Sequence, residues 1–149
     1  MKKLVICLIT ILAVFFSACK EKEKPVNYAD AFVGNYDVSA EATLNIPILG
    51  TYPLSIPASD GVIVKDGDEG DVIITMMGQT VSGFARKDGL HVDPFIVNQE
   101  IAGYNLAMTV ATPVIAPPVD GVITCTANIS ASIVLGTVTG TADITAVKK

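Results

Sequence analysis

The chain has no tryptophan, and aromatic residues make up only 6% of its 149 residues. Large aromatics are few, and no platform for stacking a sugar ring is evident in the sequence. It has one histidine, His91, and three cysteines, Cys7, Cys19 and Cys125, with no ligand pairs at metal spacing. A structural zinc site needs four such ligands closely arranged, so no metal or other cofactor is expected. No Gly-X-Ser-X-Gly turn is present to strain a serine into a nucleophile. Basic residues number 10 against 15 acidic ones, for a net charge of −5. An acidic surface disfavours nucleic acid as a partner. The apolar run from Leu4 to Phe16 is short of the roughly 20 residues that a membrane-spanning helix needs.

What is there begins at the N-terminus. Lys2-Lys3, the run Leu4 to Phe16, then Ser17-Ala18 before Cys19 make a charged region, an apolar region and a small-residue cleavage point. With a cysteine at the cut, the segment resembles the lipobox of bacterial lipoproteins, although Phe16 stands where that family usually carries leucine. The resemblance implies that residues 1–18 are a signal peptide. It also implies that Cys19 receives a diacylglyceryl group and an acylated amine, and so anchors the chain to the membrane. Two or more acyl chains hold a protein stably where one is marginal. Lys20, in place of the aspartate that retains such proteins at the inner membrane, implies the outer membrane. The charged tract Lys20 to Lys24 resembles surface-export signals, so the periplasmic side and the cell surface both stay open.

Removing residues 1–18 leaves 131 residues, and losing Lys2 and Lys3 moves the charge from −5 to −7. Cys125 is then the only cysteine that carries no lipid, so no internal disulfide forms and stability must come from an apolar core. Residues 19–31 are polar and charged and read as a flexible tether. Residues 32–149 read as a single all-β domain. A short helical turn near Tyr28 to Phe32 is the one helical candidate.

Tyr36, Val38, Ala40, Ala42, Leu44 and Ile46 alternate strictly with polar residues, which places one apolar and one polar face on a strand. Ile123 to Ile133 and Val138 to Ala146 repeat the pattern. Threonine, valine and isoleucine suit a pleated, half-buried surface. Ser59-Asp60-Gly61, Asp66-Gly67, Glu69-Gly70, Lys87-Asp88-Gly89 and Asp120-Gly121 carry turn chemistry. Many short strands with polar turns predict an antiparallel barrel or barrel-like sandwich.

The chain also resembles itself. Pro53 to Ile63 aligns with Pro113 to Ile123, with both prolines and the Asp-Gly-Val-Ile block matched. Thr80 to Ala85 matches Thr137 to Ala142. A duplicated four-stranded unit closing into one pseudo-symmetric barrel is one reading, and chance likeness among Val/Thr/Gly-rich strands is the other. The prolines require edges, bulges or strand ends.

Phe32-Val33-Gly34-Asn35-Tyr36, opening a long alternating strand, resembles the Gly-X-Trp start of lipocalins with Tyr36 in place of tryptophan. The Thr-rich strand from Gly136 to Lys149 is similar to the end of calycin-like lipoproteins of gut bacteria. The resemblance implies an eight-stranded antiparallel barrel able to hold one small apolar ligand. Lys148 is the nearby basic residue that would pack over the first strand.

Few residues carry chemistry. His91 and Asp93 are two apart and share a strand face, but they lack a nucleophile, so the chain is not expected to be an enzyme. Asp66 to Asp71 is an acidic tip that fails the calcium-loop pattern at its sixth and twelfth positions, Asp71 and Met77. Cys125 alternates with Ile123 and Ala127 and faces the core as a small hydrophobe. Tyr36, Tyr104, Leu106, Met108, Ile123 and Cys125 are the candidate ligand-binding residues. Small inward residues such as Ala40, Ala42, Ala127 and Ala142 leave either a ligand space or a close sheet contact. The expected function is that of a lipid-anchored envelope binding module for a small apolar ligand. The alternative is an interaction lipoprotein that contacts another envelope or surface protein and takes no ligand.

Overall fold

A computed structural model describes residues 26–67, 69–101 and 103–149. The expected signal peptide, residues 1–18, and the expected lipid-bearing Cys19 lie outside these residues. The fold is all-β: strands β1 (Gly34–Ile46), β2 (Gly50–Lys65), β3 (Asp71–Met76), β4 (Gln79–Arg86), β5 (Gly89–Val92), β6 (Phe95–Ile101), β7 (Tyr104–Ala111), β8 (Val122–Ile133) and β9 (Gly136–Lys148). A four-residue 3-10 turn at Tyr28–Ala31 precedes them, near where a helical turn was expected. Asn27 caps it by accepting from the Ala29 amide, and Ala29 is buried.

All pairings are antiparallel, in the order β5-β4-β3-β2-β1-β9-β8-β7-β6. The sheet curls into a half-barrel. Each strand pairs with its sequence neighbour, and the first pairs with the last, as in an up-and-down barrel. The one exception is β5 and β6, which run in the same sense and are separated by only Asp93-Pro94. Proline has no amide to give to a ladder, so the strand breaks there. Its first half stays with β4 and its second half joins β7. That break makes nine strands where eight were expected, and it leaves the barrel unclosed. A pair of hydrogen bonds between Leu90 and Ile115, 2.8 and 2.9 Å, ties β5 to the β7–β8 connection across the gap.

The alternation of β1 sorts as expected. Tyr36, Val38, Ala40, Ala42, Leu44 and Ile46 are all buried, between exposed or half-buried polar neighbours. Inward side chains gather in two clusters. One centres on Leu44, Leu106, Met108, Ile129 and Val138. The other centres on Phe32, Tyr36, Ile63, Val72 and Leu90.

The two self-similar segments do not fold alike. Asp60-Gly61-Val62-Ile63 lies inside β2, whereas Asp120-Gly121 is the turn that enters β8. Thr80 to Ala85 forms β4 between β3 and β5, whereas Thr137 to Ala142 lies in β9 between β8 and β1. Asp60-Gly61 is therefore not a turn. Gly61 is needed there for space, since a Cβ would lie 2.5 Å from Val38 Cγ2. Pro53 and Pro57 sit where β2 has no partner on its second side, and Pro57 adjoins the register shift opposite Ser39.

Candidate ligand-binding cavity

A cavity of about 60 Å³ lies against the second cluster, beside the strand break. Strand β1 gives it Tyr36 and Val38, and β8 gives Ile123 and Cys125. Met76, Leu90 and Phe95 come from the elements around the gap, and Ile115 from the bridging connection. The cavity exists because the sheet opens at Asp93-Pro94, so the inward rows of β3, β5 and β6 face one another without a continuous ladder behind them.

Tyr36 anchors the wall. Its hydroxyl donates to the Phe32 carbonyl at 2.6 Å in a buried setting. Burial pushes the phenol pKa up. Cys125 is half-buried, and burial, followed by the nearby Asp143 charge, pushes its thiol up. A raised thiol pKa leaves little thiolate at neutral pH, and Cys125 stands in the apolar wall. Of two buried hydroxyls without a hydrogen-bond partner among the described residues, Ser59 Oγ and Thr112 Oγ1, Thr112 belongs to this wall. A buried hydroxyl in that state is unfavourable by about 1–3 kcal/mol until something bonds it.

Of the six candidate residues, the fold brings Tyr36, Ile123 and Cys125 together on this cavity. Leu106 and Met108 are buried in the other cluster. Strand β7 meets β8 only through Thr109 to Ala111, which holds the start of β7 away from the cavity. Tyr104, at the hairpin tip, is 67% exposed. Thr112, Phe95, Leu90 and Ile115 had no sequence signal, because they reach the cavity only through the strand break.

The charged candidates lie on the surface. His91 Nε2 pairs with Asp88, 3.1 Å from Oδ2, and not with Asp93. Asp93 lies past the end of β5, where its amide bonds the Ser82 carbonyl. The hydrogen bond from His91 holds the Asp88 carboxyl below its usual range. The acidic tip is closed by the Asp66 amide on the Asp71 carbonyl. No group of three or more His, Cys, Asp or Glu side chains able to hold a metal ion occurs among the described residues. Lys148 stands opposite Tyr36 in the β1–β9 ladder, and its ammonium donates to the Val33 carbonyl at 2.9 Å.

The two ends of the barrel differ in chemistry. The β1–β2 and β8–β9 hairpin tips are adjacent, with Pro47 beside Gly136, and carry Ile48, Leu49, Val134 and Leu135. Ile48 is 85% exposed and Val134 fully exposed. The opposite end receives the N-terminal segment and carries Asp60, Lys65, Asp66 and Lys149. No protein-family model, no curated protein and no solved structure matches the chain.

Proposed function

We propose that the chain is a lipid-anchored protein of the outer membrane whose half-barrel binds a small apolar ligand. The observation that carries this reading is the apolar cavity beside the strand break, walled by Tyr36, Ile123 and Cys125, with the unpartnered Thr112 hydroxyl as its polar spot. Packed interiors leave few voids larger than a water molecule, so a space of this size beside an orphan hydroxyl fits a ligand better than a structural gap. The anchor rests on the order Lys2-Lys3, Leu4 to Phe16, Ser17-Ala18-Cys19. Native mass spectrometry of the purified chain mixed with total lipid extract tests the ligand: a discrete bound species supports the reading, and the bare mass alone overturns it. Metabolic labelling with an alkyne fatty acid tests the anchor, with Cys19→Ala abolishing the label.

A second reading, an interaction lipoprotein docking on another envelope protein, draws on the exposed tips at Ile48, Leu49, Val134 and Leu135. Exposed apolar groups clustered at one end mark contact surfaces. A photo-crosslinker at position 134 in cells distinguishes the two. One discrete protein adduct favours docking, and its absence leaves the ligand reading alone.

A further inference from the structure

A second cavity of about 180 Å³ adjoins the first. Met76 and Phe95 belong to the walls of both, so they form the neck where the smaller chamber that reaches Tyr36 and Cys125 (the inner one) joins the larger chamber beside Gln79 and Gln99 (the outer one). Gln79 and Gln99 stand in the outer wall, with Asn98 beside them. Both glutamines interrupt inward rows that are otherwise apolar or glycine. Gln79 begins the row that continues Val81, Gly83 and Ala85 on β4, and Gln99 sits between Val97 and Ile101 on β6. Both are partly buried. Among the described residues, no charged one lines either chamber. Thr112 continues the inward row of Met108 and Val110, and Val110 is the ladder partner of Phe95. The unpartnered Thr112 hydroxyl therefore stands close to the neck.

We propose that the two chambers take a single-chain amphiphile with an uncharged, hydrogen-bonding head, of the monoacylglycerol type. This assignment rests on the reading of the inner chamber as a ligand site. The tail enters the inner chamber, the linking carbonyl passes Thr112, and the head meets Gln79, Asn98 and Gln99. Size selects the tail: about 60 Å³ is under half of the roughly 150 Å³ of a cavity that holds benzene, enough for the end of one acyl chain and too little for a fused ring system. Chemistry selects the head. Amide side chains both donate and accept, which matches hydroxyl and ester groups. The Gln99 amide makes one long contact of 3.5 Å, to the Glu100 carbonyl, and so has donors to spare. A carboxylate or ammonium head would leave water for a wall without a counter-charge, which is unfavourable.

The test titrates the purified full chain with 1-decanoylglycerol, decanoate and decyltrimethylammonium, read by native mass spectrometry at neutral pH. The neutral amphiphile is expected to bind about tenfold or more tighter than either ion. Gln79→Leu with Gln99→Leu removes the amide bonds to the neutral head and lowers the affinity for 1-decanoylglycerol about tenfold, while neither ion gains affinity. Gln99→Glu, a polar replacement that serves if the leucine pair fails to fold, moves the preference to the cation. Equal binding of an ion in the wild type, an unchanged affinity for 1-decanoylglycerol in the leucine pair, or no shift toward the cation in Gln99→Glu overturns the head assignment and leaves the ligand reading standing. No binding by any of the three overturns both.

Discussion

Replacing Tyr36 with phenylalanine separates two contributions that the fold assigns to one side chain. The ring is 1% exposed and fills the wall between β1 and the 3-10 turn. The hydroxyl makes a 2.6 Å bond to the Phe32 carbonyl, itself in a buried residue. Tyr36→Phe keeps the ring and leaves that carbonyl without its partner. The expected cost is about 1–2 kcal/mol, the bond together with part of the desolvation of the orphaned group. For a domain of this size that lowers Tm by about 4–8 °C. Tyr36→Ala also removes the ring, and losses of that kind run to about 3–5 kcal/mol. The pH dependence gives a second check. Burial raises the folded-state pKa of Tyr36 above 10.0, so above that pH the unfolded chain releases this proton first and stability falls as pH rises. Lys149, whose pKa is raised chiefly by its bond to Asp60, adds a loss of the same sign that the substitution does not touch. Thermal melts of both proteins from pH 7 to 11 measure the difference. The wild type should lose its advantage as pH climbs past 10. A Tyr36→Phe melt within 1 °C of wild type at pH 7 would refute the bond's contribution.

Three further outcomes follow from the cavity and its frame. Thr112→Val removes the unpartnered hydroxyl and should raise the Tm of the ligand-free protein by a few degrees, for a gain of about 1 kcal/mol; a lowered Tm contradicts its orphan state. Gly140→Ala should destabilise by about 1–3 kcal/mol in chemical denaturation, because its Cβ would press on the Thr43 carbonyl and lie 2.8 Å from Leu44 Cδ2 where β9 crosses β1; an unchanged midpoint contradicts the packing. Cys125 should react with a maleimide more slowly than the thiol of the unfolded chain at pH 8, since burial raises its pKa, and more slowly again with ligand bound; equal rates in all three states contradict its place in the wall.

Most of the frame was legible because alternation is a local signal. The inward rows of β1, β8 and β9 follow from period two alone, and a one-residue slip would have turned every one of those side chains outward. The break at Asp93-Pro94 was less legible. A single proline marks a strand end, and nothing in its neighbours says that the next stretch joins a different partner. The cavity depends on that switch, so Phe95, Leu90, Ile115 and Thr112 could not be placed before the pairing was known. Leu106 and Met108 share a face with Val110, as their spacing implies, yet the three-pair contact between β7 and β8 sends them to the other cluster. The self-similarity misled for a related reason. Asp-Gly is turn chemistry at Asp120 but a close-packing site at Gly61, and the dipeptide alone does not separate the two uses. The hairpin tips carry a local signal of their own: no charged residue occurs from Ala42 to Ser59, Val72 to Ala85 or Gly121 to Ala142, the stretches that build the β1–β2, β3–β4 and β8–β9 tips.

The central claim is that the interior beside the strand break receives an acyl chain. A crystal structure of the protein soaked with 1-(10-bromodecanoyl)glycerol tests it most directly, through the anomalous signal of the bromine. The account predicts one bromine peak in van der Waals contact with the wall formed by Tyr36, Ile123 and Cys125. A cavity filled by its own side chains, with bromine absent there or found only on the hairpin tips, would contradict it.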